Sequence, residues 1–222
     1  LLAKGGIITE EVVEKINKEE INEVVVRSPL TCAARYGVCK TCYGWDLSNR
    51  KLVEMGTPVG VTAAQSIGEP GTQLTLRTKH VAGTVGVDVT QGLPRVEELF
   101  EARTPKVLSP LSEIPGKVKI SETEAGWKVV VTNSETKPIE EREYLIPKTQ
   151  KLSVSDKGLI GAGTQLASGA LDIKEVLSLK GLVEAQEYLV NEIQLVYESQ
   201  GIPIDDKHFE VIVKKMSDEV RI

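Results

Sequence analysis

The residues best suited to chemistry near the start of the chain are three clustered cysteines, Cys32, Cys39 and Cys42. The two-residue gap between Cys39 and Cys42 lets both sulfurs face one tetrahedral ion, so the cluster predicts a structural zinc site. Such a site usually has four protein ligands, and we expect the fourth to be a cysteine upstream of Leu1. The alternative is a buried thiol cluster or a redox pair. Three clustered cysteines cannot form a secreted disulfide framework, which indicates a reducing compartment.

A second candidate group lies on a helix predicted between Thr72 and His80. Gln73, Leu76, Arg77 and His80 stand at i, i+3, i+4 and i+7, on one face of that helix. The face combines an amide, an apolar group, a guanidinium and an imidazole, which could contact different parts of a single ligand. The spacing by itself favours the ordinary alternative, a solvated surface beside one core leucine.

Short elements must position these residues. Before residue 107 we expect a helix over Thr9 to Ile16 and a strand over Glu23 to Arg27. A second helical stretch is predicted from its small residues, Gly60, Ala63, Ala64 and Gly68. A weakly ordered stretch from Val81 to Val89 and a helix over Pro94 to Arg103 should follow it. The strand is predicted from its β-branched run of three valines. The small residues suit close packing against another helix.

The second half of the chain changes its periodicity. Residues 107 to 170 alternate with a period of two, which predicts a small β barrel or sandwich with strands at about 117–120, 127–131, 144–146 and 151–154. Helical periodicity returns after Asp172. One apolar stripe comprises Leu182, Ala185, Leu189, Ile193 and Val196, and a last helix capped by Asp205 carries Phe209, Ile212, Val213 and Met216. This order of elements predicts an α+β chain.

The charge balance argues against a free-standing nucleic-acid binder. The 222 residues carry 27 basic and 32 acidic side chains, a net charge of −5, whereas phosphate binding requires a basic footprint. Residues 24 to 106 nevertheless carry 10 basic and 7 acidic side chains, a local excess of +3. The sequence predicts no membrane-spanning segment and no signal peptide, and we expect the chain to be part of a longer one.

Two long strings resemble a known family. Residues Ala63 to Thr78, which include Gln65-Ser66-Ile67-Gly68-Glu69-Pro70-Gly71, and residues Gln91 to Arg103 are similar to the trigger-loop region of the largest catalytic (β′) subunit of bacterial DNA-dependent RNA polymerase. The cysteine cluster resembles the second zinc site of that subunit, and Asp206 to Val213 resembles a later segment. The resemblance runs over nearly the whole chain.

The resemblance divides the chain into four segments. They are 1–56, a zinc-site segment; 57–106, the trigger-loop helices and loop; 107–170, a barrel-sandwich hybrid module; and 171–222, a C-terminal helical segment linked to the switch and clamp. Gly181 to Tyr197 is similar to a switch segment, which in this family joins the mobile clamp to the body of the enzyme. Arg77, Lys79, Arg95 and Arg103 would lie nearest nucleic acid.

The resemblance also implies roles for the helix face. In the family the trigger loop folds over a bound nucleoside triphosphate (NTP). Gln73 would contact the ribose hydroxyls, Leu76 the base, Arg77 the phosphate oxygens and His80 the β-phosphate side, where it would act as an acid or as a positional donor. Arg77 and His80 are thus the predicted catalytic residues. Lys79 stands where the family commonly has phenylalanine, which puts the kinetics of closure in doubt.

The implied assembly extends beyond this chain. The expected cofactors are structural Zn²⁺ and, in the full enzyme, Mg²⁺, whose Asn-Ala-Asp-Phe-Asp-Gly-Asp motif occurs nowhere in this sequence. The chain alone should therefore be inactive. The implied partners are the β, α and ω subunits, a sigma factor, template DNA, product RNA and NTPs, in the cytoplasm at the bacterial nucleoid.

Two other functions remain open from the sequence. The first is a non-catalytic zinc-containing binding module of the transcription machinery. The second is a biotinyl or lipoyl carrier, because Val154 to Leu166 resembles a barrel-sandwich hairpin and Lys157 sits in its turn. The flanking Asp156 and Gly158 are ordinary turn formers, and the usual carrier motifs around the lysine are lacking.

Overall fold

A computed structural model describes residues 2–3, 5–71, 92–124, 126–134 and 138–219. The chain divides into two compact units, residues 1–53 and 54–222, called unit 1 and unit 2 below. The predicted helix over Thr72 to His80, the stretch from Val81 to Val89, and the candidates Gln73, Leu76, Arg77, Lys79 and His80 lie outside the described residues. None of the described helices combines the length and the apolar character needed to cross a membrane.

Unit 1 contains two helices and a two-stranded hairpin. The helices are α1 (Glu10–Lys18) and α2 (Lys40–Tyr43), and β1 (Trp45–Asp46) pairs antiparallel with β2 (Lys51–Leu52). Helix α1 confirms the predicted helix and runs two residues further. Its first turn is acidic and its last turn is basic, which suits the helix dipole. No residue of α1 is buried in this unit.

The strand predicted over Glu23 to Arg27 is wrong. The segment forms no strand, and no described residue pairs with it in a ladder. Val25 is fully exposed and its neighbours Val24 and Val26 are also exposed. Because β-propensity mainly reflects packing against a neighbouring strand, β-branched residues alone do not produce a strand here.

Unit 2 is built from five described helices and a sheet. The helices are α3 (Val59–Gly68), α4 (Leu93–Phe100), α5 (Ile173–Lys180), α6 (Leu182–Ser199) and α7 (Asp206–Met216). Helix α6 packs against α4, α5 and α7, and α3 packs against α7. The fully buried rings of Tyr197 and Phe209 lie 5.5 Å apart between α6 and α7. Helix α6 is therefore the common support of the helical part.

The helical predictions are confirmed in outline and corrected in detail. The Asp205 carboxylate caps α7 by accepting the Lys207 amide hydrogen at 3.2 Å, as expected. On α6, Leu182 is exposed and Tyr197 instead completes the buried stripe, while Met216 of α7 is also exposed. Helix α4 ends at Phe100, before the predicted Arg103.

Four small residues on α3 were predicted to pack closely against another helix, and only one of these four positions is buried. Ala63 is fully buried, whereas Gly60, Ala64 and Gly68 are exposed. Outside the adjacent residues and the nearby backbone of α3 itself, no described atom lies within 4 Å of the point where a Cβ would sit on Gly60 or Gly68. Close helix packing therefore does not explain these two glycines.

The β module is a four-stranded antiparallel sheet in the order β5-β4-β3-β6. Its strands are β3 (Gly116–Thr123), β4 (Gly126–Asn133), β5 (Glu140–Ile146) and β6 (Leu159–Ile160). Isolated bridges, such as Leu111 with Gln165, add further pairing outside the strands. The core of the module comprises Ile114, Val118, Val129, Val131, Ile146, Leu166 and Ala167. This sheet beside the helices confirms the α+β class.

The strand predicted over Lys151 to Val154 is wrong. Leu152 makes only an isolated bridge with Ala167, and the neighbouring backbone pairs irregularly with residues 166–168. The alternating side chains do pack on the core through Leu152 and Val154, which produced the period of two. The fourth strand is the short β6, which pairs with β3 at Gly116 and Lys117.

Candidate functional site

The three cysteine sulfurs come together in unit 1. They lie within 4.8 Å of one another, with Cys32 and Cys42 buried and Cys39 half-buried. Cys39 is the N-cap residue of α2 and Cys42 lies inside that helix, so the single turn brings both sulfurs to one side. Gly37 and Gly44 adopt positive φ angles of 65° and 80° on either side of the pair. The turns allow Cys32 to approach the same point.

Nitrogen donors surround the sulfurs. The Cys39 amide donates to Cys32 Sγ at 3.3 Å, the Cys42 amide donates to Cys39 Sγ at 3.4 Å, and Arg27 Nη1 donates to Cys42 Sγ at 3.6 Å. The amide of Cys42 is the main reason that the pKa of the Cys39 thiol falls to about 7. Burial raises the pKa of Cys42 above its ordinary value. The Cys39 sulfur is thus closer than the Cys42 sulfur to the thiolate form that a metal needs.

The cluster fits a zinc ion better than a disulfide. A tetrahedral zinc ion with Zn–S distances of about 2.3 Å spaces its ligands about 3.8 Å apart, which is within the 4.8 Å limit that encloses the three sulfurs. Three sulfurs converge instead of two, and no disulfide joins any of the three cysteines. Within the part of the chain that the structure describes, no histidine or carboxylate joins the group as a fourth ligand. A metal could therefore be held here by three ligands from this unit.

In unit 2, a buried ionic cluster joins α4 to α6. Arg95 is buried, and its guanidinium donates to Glu98 at 2.8 Å and to Glu192 at 2.9 Å. It also donates to the Tyr188 hydroxyl at 3.3 Å, and this hydroxyl accepts the Leu171 amide hydrogen at 3.0 Å. Burial opposes the charge of Arg95, but the bonds to Glu192 and Glu98 outweigh it and raise its pKa.

A second contact joins α6 to α3. The hydroxyl of Tyr197 donates to the carbonyl oxygen of Ile67 at 2.7 Å, and both partners are buried. Burial raises the pKa of Tyr197, so the hydroxyl stays protonated and remains a donor. The two contacts lie on one helix, at Glu192 and at Tyr197. They hold the described helices on either side of residues 72–91.

Two basic side chains that were predicted to lie near nucleic acid have carboxylate partners in the structure. The buried guanidinium of Arg95 is engaged by Glu98 and Glu192, and its proximity to nucleic acid stays a prediction. Arg103 forms an ion pair with Glu101, although its side chain is exposed. A charge count along the sequence could not reveal these partners, since Glu192 is 97 positions away from Arg95.

Lys157 lies in an exposed turn of the β module. It adopts a positive φ of 63°, and its amide donates to the carbonyl oxygen of Val118 at 2.8 Å. This backbone bond ties the turn to strand β3. An exposed turn is a requirement for a carrier lysine, and it is also the ordinary place for a lysine beside Asp156 and Gly158.

Comparison with known proteins decides the family. Residues 7–222 match the family described as RNA polymerase Rpb1, domain 5. The chain belongs to this family. As a member of the Rpb1 domain 5 family it is also similar, over all 222 residues, to proteins named DNA-directed RNA polymerase subunit beta′. The identity is 50% for Acetivibrio thermocellus, 48% for Thermoanaerobacter pseudethanolicus and 48% for Acidothermus cellulolyticus.

The match confirms the resemblance to the bacterial β′ subunit. This Rpb1 domain 5 chain covers 19%, 19% and 17% of the length of those three relatives, respectively, or about a fifth. Sequence reasoning missed the contacts of Tyr188, Glu192 and Tyr197 on α6. The available signal was the polar pair Tyr188 and Glu192, which stand four positions apart beside the apolar stripe of α6 and so share one side of the helix. This spacing does not identify Arg95 as their partner.

Proposed function

We propose that this chain is part of the β′ subunit of a multisubunit DNA-dependent RNA polymerase. Such an enzyme adds ribonucleotides to an RNA 3′ end under the direction of a DNA template and releases pyrophosphate. The observation that carries the proposal is identity of 48–50% over the whole chain to proteins named as this subunit. The proposed partners are the β, α and ω subunits, a sigma factor, DNA, RNA and NTPs. We place the assembly in the bacterial cytoplasm at the nucleoid.

Within this assembly, residues 57–106 would contain the trigger loop, which closes over the incoming NTP. Gln73 would bind the ribose, Leu76 the base and Arg77 the phosphates, and His80 would donate toward the β-phosphate. Their spacing supports a shared helix face. Their contribution would be orientation and charge stabilisation around a reaction centre built elsewhere in the enzyme.

The proposed metals have separate tasks. Cys32, Cys39 and Cys42 would hold a structural Zn²⁺ together with a fourth ligand from outside the described residues. Mg²⁺ would supply Lewis-acid chemistry in the full enzyme from ligands outside this chain. Because those ligands are missing from the sequence, the isolated chain is expected to be inactive.

The test is single-nucleotide addition by the assembled polymerase. His80→Ala and Arg77→Ala should each slow addition by about 10²-fold or more, because each removes a donor that acts on the reacting phosphates. Arg142→Ala is the matched control, since that exposed arginine forms ion pairs with Glu113 and Glu140 at the edge of the β module. Unchanged addition rates with intact assembly would favour a non-catalytic zinc-containing module.

The carrier alternative is tested separately. Mass spectrometry of the chain isolated from its cells should find Lys157 unmodified. A biotinyl or lipoyl adduct on that lysine would contradict the polymerase assignment of the β module.

A further inference from the structure

Each of the three cysteine sulfurs accepts a hydrogen bond, and the donors are of two kinds. For Cys32 and Cys39 the donor is a backbone amide, at 3.3 Å and 3.4 Å from the respective sulfur. The Cys42 sulfur instead accepts from the guanidinium of Arg27, whose Nη1 lies 3.6 Å away. Arg27 stands 15 positions before Cys42, so the contact is not local to α2. One sulfur of the cluster therefore has a charged side chain as its donor.

A hydrogen-bonded turn carries the chain from Arg27 to the first cysteine. The Ser28 hydroxyl oxygen accepts the Leu30 amide hydrogen at 3.0 Å. The carbonyl oxygen of the buried Pro29 accepts the Cys32 amide hydrogen at 3.2 Å. The proline ring also restricts the backbone φ angle within the turn. The backbone next to Arg27 is therefore fixed relative to the cluster.

The charge of a metal-loaded cluster explains what the guanidinium can contribute. A metal binds cysteine as the thiolate, and three thiolates carry one negative charge more than a Zn²⁺ ion neutralises. Cys42 is only 8% exposed, so water stabilises the charge on its sulfur poorly. A hydrogen bond from a cation to an ionised acceptor is stronger than a neutral one. Arg27 itself is exposed, so its own charge stays hydrated.

We propose that Arg27 is a positioning residue for the zinc site, where its guanidinium orients and stabilises the Cys42 thiolate and so raises the affinity for the metal. The inference rests on the proposed zinc site and goes beyond it, because the ligand set does not by itself require Arg27. Partners that hydrogen-bond a metal ligand from outside the ligand set typically contribute about 10- to 100-fold in affinity. Unlike the two backbone amides, this partner can be removed by substitution.

Chelator competition on the assembled full-length polymerase measures the affinity for zinc. Cys39→Ser removes one ligand, so the zinc signal lost in that variant identifies this site. Arg27→Met keeps an aliphatic stem but removes the charge and the donors, and it should weaken zinc binding at this site by about 10-fold. Arg27→Gln is a second uncharged variant with the same expectation. Arg27→Lys restores a positive charge and should recover most of the loss.

The matched control is Arg35→Met, which removes the same charge from the same loop. The Arg35 guanidinium lies 5.5 Å from the centroid of the Tyr36 ring, on an exposed part of unit 1. Water and salt screen an exposed charge that makes no close contact with the sulfurs. The zinc affinity of Arg35→Met should therefore stay within about twofold of that of the parent.

A spectroscopic measurement separates this role from a merely structural one. With Co²⁺ in place of zinc, the thiolate-to-cobalt absorption reports the electron density on the sulfurs. Loss of the hydrogen bond to Cys42 should shift this band to longer wavelength in Arg27→Met, and Arg35→Met should leave it unchanged. A merely structural role would lower the melting temperature or the yield of assembled enzyme, and the band would stay in place.

The outcomes distinguish this inference from the proposed function. A parent enzyme with no more zinc than Cys39→Ser would contradict the proposed zinc site, and the role of Arg27 would fail with it. If the parent holds zinc at this site, but Arg27→Met and Arg27→Gln bind it within about twofold of the parent, only the role of Arg27 is overturned. A cobalt band that does not move in Arg27→Met would overturn that role as well.

Discussion

Unit 1 and unit 2 are stabilised in different ways. Unit 2 buries complete side chains in two places, around Tyr197 and Phe209 in the helices and around Val129 in the sheet. Unit 1 buries little more than Cys32, Cys42, Tyr43 and Val53, and it leaves the apolar side chains of residues 24–26 exposed. A small core of this kind is stabilised weakly by the hydrophobic effect.

The difference indicates which interactions stabilise each unit. In unit 2, buried apolar side chains and hydrogen bonds between helices stabilise the fold. In unit 1, the cysteine cluster brings three sulfurs within 4.8 Å of one another, and backbone amides donate hydrogen bonds to two of them. We therefore expect unit 1 to depend on its metal and unit 2 to be indifferent to it.

Metal removal should have the largest effect. In the full-length subunit, chelation or Cys39→Ser should release the zinc and abolish hydrogen-exchange protection from Cys32 to Tyr43, because structural zinc contributes about 10–16 kcal/mol of apparent binding free energy. Unit 2 should keep its protection. Thr41→Ser, at an exposed position between the same cysteines, should retain about one zinc per chain. If the zinc-free protein kept full hydrogen-exchange protection in unit 1, the claim that unit 1 depends on a metal would be contradicted.

A core deletion in unit 2 should have the next largest effect. Phe209→Ala should lower the free energy of unfolding by about 3–5 kcal/mol, because it removes a fully buried ring beside Tyr197. Urea unfolding followed by circular dichroism measures this change, since most of the helix lies in unit 2. Met216→Ala, at an exposed position on the same helix, should cost about 0.5 kcal/mol or less. Equal losses for the two variants would contradict the core assignment.

The pH dependence of unit 2 should reveal His208 of α7. This side chain is buried and its Nδ1 has no partner among the described residues. Burial, with Lys207 acting in the same direction and Asp205 against it, lowers the pKa of His208 below 6.5. The unfolded chain therefore binds a proton that the folded chain excludes, so stability is lost as the pH falls below about 6.5.

The difference between the folded and unfolded pKa values of His208 determines how much stability is lost at low pH. The free energy of unfolding falls by about 1.4 kcal/mol for each pH unit by which these pKa values differ, and the fall ends once the pH is below the folded pKa. His208→Gln should remove this contribution to the slope of urea stability between pH 7 and about 5. An unchanged slope in the variant would show that His208 is not the titrating group.

The smallest effect should come from the exposed valines of unit 1. Val25→Thr should change stability by less than about 0.5 kcal/mol, because the side chain is fully exposed. Val129→Thr in the sheet of unit 2 should cost about 1–3 kcal/mol, since it buries a hydroxyl in an apolar core. Urea unfolding of the two variants compares them directly. A large cost at Val25 would mean that this segment packs as a strand after all.

Local signals in the sequence predicted much of the fold. Apolar spacing and the cap at Asp205 located α7, and the change to a period of two located the sheet. The cysteine spacing predicted the cluster that the structure brings together. These features depend on neighbours within a few positions.

Long-range partners account for the errors. The valines of residues 24–26 have high β-propensity, but no described strand lies beside them. The partners of Arg95 could not be predicted, because Glu192 and Tyr188 are distant from it in sequence. The bond from Tyr197 to the Ile67 carbonyl leaves no sequence signal, since any residue supplies such an oxygen.

The most direct test of the central claim is a structure of the assembled polymerase with an NTP bound. The account predicts that the polar groups of Gln73, Arg77 and His80 lie within hydrogen-bond distance of that nucleotide, while the Tyr197 hydroxyl still donates to the Ile67 carbonyl. Side chains of residues 73–80 that point away from the nucleotide would contradict it.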